Sequence, residues 1–360
     1  MNKIPIALVA VGILFLPSSV NAQSPHAPVA AQKTIVLPLG TGCVTPNFHP
    51  RRCTDLDVTK PDLATDVATA FRKGQYTQLN DWFAAYCNGT HRMPDGTWFV
   101  AHFESSLARH FGAWGGHGVL PELAKWRSQS LGLAAPFWAE ALYWYDAAWA
   151  LPWPRAGESR PPQTAKLYAK RLASAGEAIA IAKSKQSDCP VIASLEMAIR
   201  IDQNAPLAEV RVLFEKALKR FPDYSGIYHM MGRAHFSRSG GSARAFEDFA
   251  LDMMRNANVA DGQGVYARLY SRSQRKNLPG ANVWIGYLEP DWVRLKTSFE
   301  ELLKRYPHSK LILADYLDHA CRIGDKPTYQ RLRGSVIGLE AYSLTDLGLD
   351  VCDAKNVGSI

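Results

Sequence analysis

The chain has 360 residues, 47% of them apolar, and a formal charge of +8. That length is ample for a large core, in one extended domain or two compact ones. The basic balance suits membrane surfaces, cell-wall polymers or acidic proteins as partners, or simply solvates helix faces, and no segment beyond the N-terminus is apolar and long enough to span a bilayer.

The chain opens like an export signal. Met1-Asn2-Lys3 is a short positive start, Ile4 to Pro17 is an apolar run, and Val20 and Ala22 are small residues ahead of a cleavage point. Residues 1–22 are therefore expected to be a signal peptide, cleaved near Ala22 to leave a periplasmic or secreted protein without a transmembrane segment. Such a protein does not meet nucleic acid. No cysteine follows Ala22, so a lipid anchor is not indicated. Residues 23–59, rich in proline, alanine and polar residues, read as an irregular linker or cap.

Six cysteines survive that cleavage: Cys43, Cys53, Cys87, Cys189, Cys321 and Cys352. In an exported chain an even number reads as disulfides. Cys43 and Cys53 bracket a proline-turned loop and favour a local bridge. Cys321 with Cys352 would staple the C-terminal tail, which leaves Cys87 with Cys189. His49 lies between the first two, but the four ligands of a metal site are not there.

From Pro61 onward, amphipathic segments follow one another, separated by Gly, Pro, Asn or Asp, with no run of alternating β-branched residues. Residues 60–360 are predicted to be all-α. Val210, Leu213, Phe214, Ala217, Leu218 and Phe221 fall on one helical face, and Pro222 stops the helix. Leu295, Phe299, Leu302, Leu303 and Tyr306 repeat that set at a constant offset of 85, with Ser298 replacing the equivalent of Leu213 and Pro307 as the stop. A fainter third copy holds Gly74, Tyr76, Leu79, Phe83 and Tyr86, with Gly74 ending one helix and Tyr76 opening the next. Val210, Phe214, Ala217 and Pro222, and likewise Leu295, Phe299, Leu302 and Pro307, resemble the second helix of a tetratricopeptide repeat. The first-helix signature of that repeat is poorly kept. The expected architecture is a TPR-like α-α hairpin solenoid, a right-handed superhelix whose neighbouring hairpins bury each other's apolar faces and leave a groove.

Along this array Trp138, Leu142, Tyr145 and Trp149 form one stripe, expected in the core, while Trp144 and Trp153 fall elsewhere and are candidates for a groove or interface. In Ser239 to Ala250, Gly240 and Gly241 let the chain reverse, and Ser242 stands where an N-cap belongs, ahead of Phe246, Phe249, Ala250 and Met253. The same helix start, Gly241 and Ser242, is the candidate for holding an anion. Arg268, Arg272 and Arg275 share a helical side and could grip an anionic partner or form a solvated face.

Pro222, Tyr224, Tyr228, Gly241, Ser242, Phe249, Ala250 and the string Tyr266-Ala267-Arg268-Leu269-Tyr270 resemble the bacterial family catalogued as domain of unknown function 4034. The likeness is densest from about residue 160 to 275. An aromatic often precedes the Gly-Ser in that family, and this chain has Ser239 and Gly240 there. The resemblance implies helical hairpins and a bacterial origin, and it carries no reaction.

No G-x-S-x-G elbow and no H-E-x-x-H occur in the sequence. His102, His110 and His117 lack tight ligand spacing, and Asp315 with His319 at i, i+4 suits an ordinary side-chain contact. Asn88-Gly89-Thr90 has the form of a glycosylation sequon, unused in a bacterial host. The sequence therefore names no catalytic residue, metal or cofactor. The expected function is a scaffold that holds a protein or peptide partner, with an anionic envelope component as one candidate. The alternative is an enzyme or binder acting on cell-wall glycan, which a glutamate in a deep tryptophan-lined cleft would favour.

Overall fold

The computed structural model describes residues 62–113, 118–152, 159–186, 188–236, 241–256, 258–271 and 289–336. All of them belong to one compact unit, Ile35–Ile360. The expectations for residues 1–22 and 23–59, and for Cys43, Cys53, Cys352, His117, Trp153, Arg272 and Arg275, lie outside the described residues.

The described residues are all-α. Fourteen helices succeed one another: α1 Asp62–Arg72, α2 Tyr76–Cys87, α3 Phe99–Ala113, α4 Val119–Gln129, α5 Ala135–Trp149, α6 Pro162–Lys185, α7 Pro190–Asp202, α8 Leu207–Arg220, α9 Ser225–Phe236, α10 Ala243–Arg255, α11 Val265–Tyr270, α12 Trp292–Arg305, α13 Lys310–Ile323 and α14 Lys326–Arg333. Two single 3-10 turns, Gly262–Gly264 and Gly334–Val336, complete them. No strand occurs among the described residues, and Arg92 and Trp98 form an isolated antiparallel bridge. No helix there is long and apolar enough to cross a membrane.

Each helix from α5 onward packs on the next, and α5, α7 and α9 also pack on the next but one. The reason lies in the stripes. On α8, Val210, Phe214, Ala217 and Leu218 are buried; on α12, so are Leu295, Ser298, Phe299 and Leu302. The two helices also end alike. The amides of Phe221 and Tyr306, residues 85 apart, donate to Ala217 and Leu302 with nearly the same backbone angles. The next helices, α9 and α13, begin at Ser225 and Lys310, again 85 apart. The 85-residue offset therefore holds for the end of one helix and the start of the next. In the third copy, Gly74 has φ +65° between α1 and α2, and Tyr76, Leu79, Phe83 and Tyr86 are buried.

Trp138, Leu142 and Tyr145 are fully buried and Trp149 is partly so; Trp138 packs on Phe83 of α2 and Phe103 of α3, while Tyr145 and Trp149 both donate to Asp202 of α7. Short polar residues start several helices: Ser242, Asp291, Ser309 and Asp325 each accept an amide of the first turn. Cys87, at the end of α2, and Cys189, just before α7, form a disulfide across 102 residues. Cys321 is disulfide-bonded as well.

Candidate functional site

Polar groups are buried at several places in this core, the Arg233–Asp202 pair of α9 and α7 among them; three other places could serve binding or proton transfer. The first centres on Arg268. Its helical spacing with Arg272 and Arg275 suggested a charged surface. The side chain is instead 2% exposed. The cause is a β-hairpin between α2 and α3. Within residues 91–99, the Met93 amide donates to Thr97 O at 2.8 Å, the Gly96 amide to Met93 O at 2.8 Å, and the Phe99 amide to His91 O at 3.0 Å. Met93-Pro94-Asp95-Gly96 makes the turn. Pro94 suits its second position, and Gly96 takes φ +82°, which disfavours any residue with a β-carbon. A β-carbon there would also collide with the ring of Tyr306. Asp95 Oδ1 closes the turn by accepting from the Thr97 amide at 2.9 Å and hydroxyl at 2.6 Å.

The tip of this hairpin lies on α11. Arg268 Nη2 donates to the Asp95 carbonyl at 2.6 Å, its Nε to Asp261, and its Nη1 stands 3.9 Å from the Asp95 carboxylate. The guanidinium also lies over the Tyr306 ring, 5.1 Å from its centre, and Tyr306 donates to Asp261 at 3.0 Å. Burial works against the Arg268 charge, but Asp261 and Asp95 outweigh it and raise the pKa.

The stem of the hairpin is held at the turn between α8 and α9. Asp223 accepts from Arg92 Nη2 at 2.7 Å and from the Trp98 indole at 3.0 Å. The Arg92 guanidinium stacks 3.9 Å over the Trp98 ring, whose edges meet Phe221 and Tyr224. Two buried donors here, Arg92 Nη1 and Arg268 Nη1, find no hydrogen-bond acceptor.

The second place is a cleft of about 310 Å³ between the turn from α7 to α8 and the start of α10. Ile201 and Val210 are its buried apolar members, Pro206 and the exposed Leu207 a wall, and His235 and Gly241 the polar side. His235 stacks on Phe249 with centroids 5.0 Å apart, and burial, then Arg211, lowers its pKa and favours the neutral ring. Gly241 borders this cleft. Ser242 does not contribute an unused hydroxyl, because its side chain caps α10 through the Ala245 amide at 3.0 Å. Trp144 is partly buried, packed against the core with its ring edge on Tyr143.

The third place is a pair of carboxyls. Glu104 on α3 is 4% exposed, and burial, then the nearby Asp146 charge, pushes its pKa well up. Burial pushes Asp146 on α5 up to about 7. Asp315 is buried against Ser271, and His319 approaches Tyr270 O at 3.2 Å, so both face neighbouring helices. Among the described residues no group of three or more His, Cys, Asp and Glu side chains could hold a metal ion.

Sequence reasoning missed the hairpin although its signal was present. Met-Pro-Asp-Gly-Thr is turn chemistry with a mechanism. Its docking partner Arg268 lies 173 residues away. No family model matches the chain, and comparison with curated proteins and with solved structures finds no match.

Proposed function

We propose that the chain is an exported scaffold of TPR-like hairpins, wound as a right-handed superhelix, that binds a protein or peptide partner, and that the cleft beside Gly241 is where it anchors a partner side chain. The 85-residue offset between hairpins and the next-but-one contacts of α5, α7 and α9 support the solenoid reading. A buried Cys87–Cys189 bridge supports an oxidising compartment.

The observation that carries the binding reading is the cleft itself. Its volume is at the lower end of ligand pockets, large enough for one aliphatic or aromatic side chain. Leu207 is 41% exposed at its wall, an apolar side chain open to solvent. A photo-crosslinking amino acid placed at 207 in the native envelope should give a discrete protein adduct that the same residue at Lys125, on α4, does not. Equal crosslinking at both positions, or none at 207, would overturn the reading.

Glu104 and Asp146 favour a second reading, an enzyme acting on cell-wall polymer. Buried carboxyls with raised affinity for protons, near enough for the Asp146 charge to act on Glu104, can serve as acid and base. Hydrolysis of purified cell-wall glycan by the wild-type chain and not by Glu104→Gln would carry it; inactivity of the wild-type chain sinks it.

A further inference from the structure

We propose that the hairpin of residues 91–99 is a built-in pseudo-ligand: it fills a receptor made by Asp223, Phe221, Tyr224, Arg268 and Tyr306, and the partner it stands in for is a protein β-turn that carries an arginine stacked on a tryptophan. This rests on the scaffold reading and adds the chemistry of a second binding surface to it.

The receptor reads its occupant as a binding site reads a peptide. Asp223 takes one donor from the guanidinium and one from the indole, each on its own carboxylate oxygen. Phe221 and Tyr224 meet the indole edge-on. Arg268 takes a main-chain carbonyl, which any sequence supplies, and the Tyr306 ring leaves room for glycine alone at the turn. The side chains that a partner must match are therefore the arginine, the tryptophan and the glycine.

The present occupant is an imperfect fit. Arg92 Nη1 is buried without an acceptor, and Arg268 Nη1 comes only within 3.9 Å of the Asp95 carboxylate without a hydrogen bond; a buried charged donor short of an acceptor is unfavourable. Asp223, which locks the stem, keeps 35% of its side chain exposed, so the lock sits at the rim where water and salt reach it. The occupant gains from its tether, since a linked segment competes at millimolar effective concentration.

The test uses the full chain. A fluorescein-labelled peptide of residues 89–99 (GTHRMPDGTWF) is titrated against wild type, against Arg92→Ala/Trp98→Ala, and against that double variant with Asp223→Ala added. Saturable binding to the double variant is expected, at least about tenfold weaker to wild type because its own hairpin competes, and lost when Asp223 is removed. A double variant that retains its circular dichroism and does not bind overturns the proposal. Should it fail to fold, hydrogen exchange on wild type decides. The amides of Met93, Gly96 and Phe99 are expected to open at least about a hundredfold more readily than those of α11; equal protection makes the hairpin a fixed part of the core and overturns the proposal. Crosslinking at Leu207 is read separately, so the cleft and the pseudo-ligand can fail independently.

Discussion

Replacing Arg268 by methionine keeps an apolar stem of similar length and removes the charge. Four interactions go with it: the bonds to Asp261 and to the Asp95 carbonyl, the ion pair to the Asp95 carboxylate, and the cation's contact with the Tyr306 ring. Asp95 and Asp261 remain buried. Breaking a buried pair from one side costs about 3–5 kcal/mol, because the surviving charge keeps its desolvation penalty. Here Asp261 retains the Tyr306 hydroxyl and a weak approach of Arg305 at 3.6 Å, and Asp95 retains Thr97. Those partners place the loss near the lower end, about 3 kcal/mol, a large share of the 5–15 kcal/mol that folded domains hold. Urea unfolding followed by tryptophan fluorescence measures it. Asp261→Asn in the Arg268→Met background should recover at least about 1 kcal/mol of the loss, because it removes the stranded carboxylate. A loss below about 1 kcal/mol for Arg268→Met, or strict additivity with Asp261→Asn, would refute the claim that this cluster is an electrostatic unit of the core.

Opening the Cys87–Cys189 bridge with serines releases a constraint over 102 residues, and the chain-entropy relation then gives a loss of about 4–5 kcal/mol; a change in unfolding free energy under about 1 kcal/mol would mean that packing of Cys87 and Cys189 already fixes the two helix ends. The acid pair predicts an unusual pH profile. The folded state holds the Asp146 proton up to about pH 7, whereas the unfolded chain releases it near its ordinary value of about 4. The stabilising contribution is thus fully present below about pH 4 and declines as pH rises to about 7, by a ceiling of about 4 kcal/mol at roughly 1.4 kcal/mol per pH unit. Asp146→Asn should flatten that decline, and a wild-type stability that climbs from pH 4 to 7 with the variant unchanged would contradict the assignment.

The parts legible in the sequence are those decided within one helix and its caps. The stripe from Val210 to Phe221 and its copy from Leu295 to Tyr306 are buried because period and polarity alone select the inward face. Ser242 caps α10 because its hydroxyl competes for a first-turn amide wherever the chain places it. The illegible part is long-range. Arg268 reads as a surface arginine beside Arg272 and Arg275, and nothing in the local sequence pattern marks it as buried. Asp261 is seven positions away, while Asp95 reaches it only through the fold.

The two candidate binding surfaces divide in the same way. Local chemistry explains Gly241 and Ser242 as a chain reversal and a cap, and it gives no hint of a cavity. The cleft exists because the turn after α7 and the start of α10 fail to meet, with Leu207 left against solvent between them. Where α9, α11 and α12 could have left a similar gap, the chain supplies its own turn, and Asp223 and Arg268 grip it through groups that any polypeptide or basic side chain offers. A helical array that binds one loop of itself in this manner already has the recognition chemistry for a foreign one; what decides between core and receptor is only the free energy of letting that loop go, which hydrogen exchange at Met93 and Gly96 measures directly.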